Sequence, residues 1–260
     1  MSLKRTIPIL IDLDGVLRLG NKPAEGVAEL FNFLTAEKIP SIILSNSTLS
    51  SSADVKKFFT DNKISLEIPA MTTVDAALNF VYGSKKKISV YCDERIKKLF
   101  VDFIDDRNPS AVLIGDLGEE WSYDILNDIL RKVLNGAEII AMQKNKYWVP
   151  PGRNISLDAG AFVAAIEFAS SKSSTLIGKP SPVYFQSALA ELGFNKDSEF
   201  IMIGDDIETD ITGAQNAGGK AVLIYTGKTN KTFSKNISIV PDFEAVNLIE
   251  VISIIKKALD

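Results

Sequence analysis

Short, unbroken apolar runs rich in β-branched residues alternate along this chain with longer amphipathic stretches, and this alternation restricts the fold more than any other feature. A run that is apolar at every position must be covered on both faces, as strands of a parallel sheet are by helices on either side. Strands are expected at Ile7–Asp12, Ser41–Ser45, Ile88–Cys92, Ala111–Ile114, Ile139–Met142, Thr175–Gly178, Phe200–Gly204, Ala221–Tyr225 and Ile237–Val240. Helices are expected at Pro23–Glu37, Ser51–Asn62, Val74–Val81, Ser122–Leu134, Gly160–Ser170, Pro182–Leu192, Thr209–Ala217 and Ala245–Leu259. Gly193 supplies a stop signal for the sixth of these helices. The fold class is therefore α/β, a Rossmann-like parallel sheet with helices on both faces.

Four of the strands end in small or acidic residues: Ile11-Asp12, Leu44-Ser45, Ile177-Gly178-Lys179 and Ile203-Gly204-Asp205. Ligands of open α/β sheets bind outside the carboxyl ends of the strands, so these four ends are expected to converge on one polar site. The stretch from Asn46 to Ile177 is too long for a loop and carries its own strands and helices, which marks an inserted domain. Residues 1–79 and 176–260 are assigned to the core, and residues 80–175 to a smaller inserted α/β cap.

Composition narrows the chemistry. A chain of 260 residues, 46% of them apolar, can bury the core of one large or two modest domains. Its net charge of −4 does not point to nucleic acid or a membrane surface as a partner. No apolar run reaches the roughly 18 residues of a membrane span. Met1 to Pro8 lacks the apolar stretch of a signal peptide, so a cytoplasmic protein is expected. The chain has no histidine, which removes Ser-His-Asp and Cys-His catalysis, phosphohistidine intermediates and histidine-ligated zinc. Its one cysteine, Cys92, cannot form an intrachain disulfide, and its apolar surroundings fit a packed core residue. Polar chemistry must rest on carboxylates, lysines, hydroxyls and a metal.

The motifs supply these groups. Asp12-Leu13-Asp14-Gly15 follows the buried run Ile9-Leu10-Ile11. Two acids at a buried strand end need a cation between them, and a carboxylate is a competent nucleophile toward phosphorus. The second acid can protonate a leaving oxygen and then deprotonate water. Ser45-Asn46-Ser47 offers hydroxyls and backbone amides just before a helix, as a phosphate cradle does. Lys179, in Gly178-Lys179-Pro180-Ser181-Pro182, can neutralise a phosphoryl group, and Pro182 suits the first helical turn. Asp205, in Gly204-Asp205-Asp206-Ile207-Glu208-Thr209-Asp210, is placed to complete an oxygen-ligated Mg²⁺ site with Asp12 and Asp14. Asp206 and Asp210 are read as residues that orient Lys179 or metal-bound water. Ala111-Val112-Leu113-Ile114-Gly115-Asp116 mimics that last motif but lacks its acid cluster, and it reads as a structural strand end.

Taken together and in this order, the four motifs resemble those of the haloacid dehalogenase (HAD) superfamily. The insertion between the second motif and the lysine resembles the NagD-like branch, which includes p-nitrophenyl phosphatases. Gly178–Pro182, Ser187-Ala188-Leu189 and Ile203–Asp206 look like the corresponding stretches of phospholysine/phosphohistidine inorganic pyrophosphate phosphatases. The resemblance implies a phosphatase in which Asp12 is the nucleophile and a magnesium ligand. It implies that Asp14 is the general acid/base and binds magnesium through its main-chain carbonyl. Ser45, Asn46, Ser47 and Lys179 would hold the phosphoryl group, and Asp205 would bind the metal. The phospholysine phosphatases have a serine where this chain has Asp14. The cap stretch Gln143–Trp148 also departs from the Asn-Pro-Asp-like loop of many NagD-like proteins, and its lysines and aromatics are expected to face the active site or a partner subunit.

The expected partner is a small phosphorylated metabolite, with no nucleic acid and no membrane, and a homodimer through the cap is compatible with the exposed aromatics. The rival readings are a receiver-like signalling module, which is about half this length, and a non-catalytic phosphate-binding regulator. A dehalogenase would not need Asp14 and Asp205 to hold magnesium.

Overall fold

The structure is a computed structural model that describes residues 7–148, 154–229 and 239–259. In chain order it opens with β1 (Ile9–Ile11), the short strands β2 (Arg18–Leu19) and β3 (Lys22–Pro23), α1 (Val27–Ala36), β4 (Ser41–Ser45), α2 (Ser52–Asp61) and β5 (Ala70–Thr72). There follow α3 (Thr73–Ser84), β6 (Ile88–Tyr91), α4 (Glu94–Lys97), β7 (Ala111–Ile114), α5 (Tyr123–Leu134) and β8 (Glu138–Ala141). Next come β9 (Tyr147–Trp148), β10 (Ser156–Leu157), α6 (Ala159–Ser170) and β11 (Thr175–Leu176). The chain closes with α7 (Pro182–Glu191), β12 (Ile201–Gly204), α8 (Thr212–Asn216), β13 (Lys220–Ile224), β14 (Phe243–Ala245) and α9 (Leu248–Leu259).

These elements form two compact units. The first comprises Met1–Ser45, Ser52–Met71 and Lys179–Asp260, and the second comprises Asn46–Ser51 and Thr72–Gly178. The six-stranded sheet of the first has the order β14-β13-β12-β1-β4-β5. β1 pairs in parallel with β12 (Ile9 opposite Ile201) and with β4 (Ile9 opposite Ser41), which makes it a central strand. Side chains alternate across the strands, and both faces are apolar. Ile9 and Ile11 pack with Leu30, Phe31, Phe59, Leu248 and Val251 from α1, α2 and α9. Leu10, Ile42 and Met202, the alternate residues, are equally buried. α7 begins with Pro182 in its first turn and buries Tyr184, Phe185, Ala188 and Leu189. Gly193 follows its end at φ +78°, as the stop signal requires. Each fully buried side chain of this kind contributes about 1.5–3 kcal/mol.

The second unit has its own parallel sheet, ordered β11-β8-β7-β6. One face carries Val90, Leu113 and Ile140 against Val74, Ala77 and Val81 of α3. The other carries Val112, Ile114, Ile139 and Ala141 against Ile129 and Val133 of α5 and Val163 and Ile166 of α6. α3 starts from a reciprocal cap in which Thr72 and Asp75 satisfy one another's backbone N–H groups. The decoy Ala111–Asp116 is β7 and its end, where Asp116 accepts the N–H of Gly118 at 2.8 Å.

Three expectations are corrected. The units divide near Thr72 and Gly178 rather than at 80 and 175, because α3 packs on the second sheet and shares its core. The strand before Lys179 is not part of the first unit's sheet: Thr175 and Leu176 pair with Ile140 and Ala141 of β8. The helix expected over Ala245–Leu259 begins only at Leu248, because Ala245 is the last residue of β14. The strand expected at Ile237–Val240 lies partly outside the described residues.

Cys92 follows β6 and is 1% exposed. Burial, then the neighbouring Asp93 charge, pushes its thiol up to about 12. Only the thiolate attacks disulfides, and near pH 8 about one thiol in ten thousand is ionised at such a pKa. Cys92 should therefore stay unreactive toward a dithiopyridine reagent in the native protein and react fully in denaturant. Stoichiometric release of thiopyridone from the native protein within minutes would contradict its burial.

Candidate active site

The first unit's polar centre begins where β1 ends. The Asp12 N–H continues the ladder to the Ile203 carbonyl at 2.9 Å, which fixes the backbone from which the carboxylate projects. Lys179, 1% exposed, comes to the same point. Its Nζ donates to Asp12 Oδ1 at 2.5 Å and to the Leu44 carbonyl at the end of β4 at 2.8 Å. It lies 2.7 Å from Asp210 Oδ1.

Asp210 belongs to a π-helical turn, Ile207–Ile211, that follows β12. Asp206 caps the turn by accepting from the N–H groups of Glu208 at 2.9 Å and Thr209 at 3.2 Å. The strand ends in glycine for a steric reason. A Cβ on Gly204 would stand 2.3 Å from the Cβ of Asp210, so only glycine admits that side chain. Asp205 is enclosed similarly: a Cβ on Gly15 or on Gly227 would fall 2.2 or 1.9 Å from its Oδ2. The same carboxylate accepts the Lys228 N–H at 2.5 Å, and the Thr226 hydroxyl donates to the Gly15 carbonyl at 2.5 Å. The segment after β13 thus closes over Asp205.

Among the described residues, Asp12, Asp205 and Asp210 form a buried group whose ligand oxygens lie within 4.8 Å of one another. Burial raises Asp12 well above the usual carboxylate range, against the opposing pull of Lys179. Burial, and then Asp210, pushes Asp205 up to about 7. Burial also raises Asp210. Burial would lower Lys179, but Asp12 and Asp210 outweigh it and hold the ammonium protonated. Asp206 runs the other way: burial would raise it, yet the Lys228 ammonium, 2.5 Å from Oδ2, holds it below the usual range. Three acids against the one ammonium of Lys179 are short of positive charge. An oxygen-ligated divalent cation fits that deficit and that donor set.

Asp12, Lys179 and Asp205 therefore come together as expected from the sequence, and Asp210 belongs with the acids themselves as well as with Lys179. Asp206 holds Lys228 rather than Lys179. The Asp14 side chain is outside the buried group and pairs with Arg18. Ser45 is buried at the end of β4, its carbonyl accepting the Tyr184 hydroxyl at 2.8 Å. Asn46 and Ser47 belong to the second unit, where the Thr73 hydroxyl donates to the Ser47 carbonyl at 2.7 Å. Lys144 does not reach out from its loop but pairs with Glu167 of α6 at 2.7 Å. Thr226, Gly227 and Lys228 escaped the sequence reading, although they follow an apolar strand just as Asp12 and Asp205 do.

The haloacid dehalogenase-like hydrolase profile matches residues 9–103, and a HAD-hydrolase-like profile matches residues 176–251. A cattle (Bos taurus) protein, haloacid dehalogenase-like hydrolase domain-containing protein 2, is 33% identical over 230 residues, 88% of each chain. A phospholysine phosphohistidine inorganic pyrophosphate phosphatase of Xenopus laevis is 36% identical over 60% of this chain and 58% of its own. The 4-nitrophenylphosphatase of Thermotoga maritima shares the fold with a TM-score of 0.85 at 23% identity, over 95% of this chain and 96% of its own. The chain belongs to the haloacid dehalogenase-like hydrolase family.

The raised Asp205 has a consequence for stability. Its folded value of about 7 lies above the ordinary 3.8 of a carboxyl, so the folded state holds the proton more tightly. Such a group stabilises the fold fully below the ordinary value and loses that contribution as pH rises toward 7. In chelator, the thermal midpoint of the native sequence should fall more between about pH 5 and pH 7 than that of Asp205→Asn. A divalent cation should restore more of it at the higher pH, because it competes with that proton. Identical pH profiles for the two proteins in chelator would refute the assignment.

Proposed function

We propose that this protein is a magnesium-dependent phosphatase acting on a small phosphorylated compound through an aspartyl-phosphate on Asp12. The observation that carries the reading is the buried Asp12–Lys179–Asp205–Asp210 group, a nucleophile and a fixed ammonium beside acids short of positive charge. The phosphatases among the relatives support the phosphoryl class. The same group suits the aryl phosphate and pyrophosphate chemistry of the 4-nitrophenylphosphatase and the inorganic pyrophosphate phosphatase.

In the first half-reaction an Asp12 carboxylate oxygen bonds to phosphorus as the bond to the leaving oxygen breaks. Asp14 gives its proton to that oxygen. In the second, Asp14 takes a proton from water, the water oxygen bonds to phosphorus, and the Asp12–phosphorus bond breaks. Lys179 holds Asp12 in one orientation throughout and offsets charge on the phosphoryl oxygens, a positioning and electrostatic role. Ser45, at the end of β4 in the same unit as Asp12, is assigned to the phosphoryl oxygens. Asp12, Asp205 and Asp210 would hold Mg²⁺, with the Asp14 main-chain carbonyl, and the ion supplies charge neutralisation when bound. In the second unit, Tyr147 and Trp148 keep about two fifths of their surface exposed.

Asp12→Asn should fold normally and lose turnover of 4-nitrophenyl phosphate by several orders of magnitude, since an amide cannot attack phosphorus. Activity within about tenfold of the native protein would sink the mechanism. Turnover should also require Mg²⁺ and be inhibited by Ca²⁺, which takes more ligands at longer distances and displaces the nucleophile. Full activity in excess chelator would contradict the site.

A further inference from the structure

On the reading above, Asp14 must bring a proton to the leaving oxygen, yet its carboxylate is engaged elsewhere. Arg18 Nε donates to Asp14 Oδ1 at 2.7 Å and Arg18 Nη2 donates to Asp14 Oδ2 at 3.0 Å, so both oxygens sit in one guanidinium fork. The Asp14 side chain is 53% exposed and lies outside the buried group of Asp12, Asp205 and Asp210. Arg18 itself is only 17% exposed.

The fork is anchored from behind. The Arg18 guanidinium lies 5.4 Å from the centre of the Phe58 ring, and Phe58 meets Phe59 edge-on at 5.1 Å. Phe59 is fully buried in the core under β1. The backbone between the two charged residues is tied as well. The Gly15 N–H donates to the Arg18 carbonyl at 2.9 Å, and the Arg18 N–H donates to the Leu13 carbonyl at 2.8 Å. With the loop and the guanidinium both fixed, the movable part of the pair is the Asp14 side chain, through its own torsions.

We propose that Arg18 is a positioning residue that parks Asp14 in the resting protein, and that Asp14 leaves the fork to reach the leaving-group oxygen when substrate is bound. The proposal rests on Asp14 being the general acid and base. Opening the fork takes the interaction of a partly exposed ion pair away from the chemical step, an effect of up to about fivefold in rate. It weighs most on substrates whose leaving oxygen needs a proton, such as alkyl phosphates.

Two measurements test it. The first is the single-turnover rate of phosphoryl transfer from an alkyl phosphate and from 4-nitrophenyl phosphate. Arg18→Gln should raise the alkyl rate about two- to fivefold, with a smaller gain for the aryl ester and with KM changed less than kcat. Arg18→Lys, which keeps the charge but not the fork, should fall between. A lowered alkyl rate in both variants, or a change confined to KM, would overturn parking. The second is a pair of crystal structures of the native sequence, free and with orthovanadate and Mg²⁺. The fork should be closed in the first and open in the second, with Asp14 turned toward the apical vanadate oxygen. A closed fork in both overturns the proposal even if Arg18→Gln fails to fold. Asp14→Asn separates the two ideas: native-like transfer from the alkyl phosphate refutes Asp14 as the acid, whereas slow transfer together with a closed fork in vanadate refutes parking alone.

Discussion

The Lys179 ammonium carries three N–H donors at a point that is 1% exposed, and the chain supplies Asp12, Asp210 and the Leu44 carbonyl to meet them. The first unit's centre depends on this arrangement. A buried ion left without its partner is costly, about 3–5 kcal/mol, so β1, β4 and the turn after β12 are tied to one another through a single side chain. The cost also works in reverse. Lys179 keeps Asp12 from being a lone buried anion, but it is one charge against three acids. The remaining deficit is what a further cation would offset.

Close packing of backbone makes the cluster possible. Gly204 leaves room for Asp210, and Gly15 and Gly227 leave room for Asp205, with contacts that any Cβ would occupy. The glycines do not merely loosen the chain here. They let the carboxylates of Asp205 and Asp210 lie directly against main chain, largely out of contact with water. Burial raises Asp12, Asp205 and Asp210 for this reason, while Asp206, one residue along from Asp205 but supplied with the Lys228 ammonium, moves down.

The sequence shows these features unevenly, and the reason is physical. Ser41–Ser45 and Ala111–Ile114 are readable to the residue because strands buried on both faces must be apolar throughout. β9 and β10 are two residues long and exposed, so they carry no such pattern. Thr175–Leu176 reads as a strand but not as which sheet it joins, since register is set by partners distant in sequence. Acids at strand ends were legible as a group. The π-helical turn that carries Asp210 in to Lys179 was not, because a single wide turn has no composition of its own. The guanidinium of Arg18 was invisible for a similar reason: its meaning comes from Phe58, forty residues further along the chain, and from the fork it makes with Asp14.

Asp12 and Asp14 are separated by one residue, Leu13, which is fully buried, and they have opposite environments. Asp12 continues the ladder of β1 and is locked by Lys179, so a bond it forms is formed from a fixed place. Asp14 lies past the end of the strand, where the chain has begun to turn over Gly15 at φ +91°, and its side chain faces solvent. A nucleophile gains from immobility, because misplacement by an ångström costs rate. A group that must serve first the leaving oxygen and then a water gains from being able to move. On the mechanism proposed above, the end of one strand and the start of one turn would supply both conditions within three residues, with the buried Leu13 setting the two carboxylates in different environments.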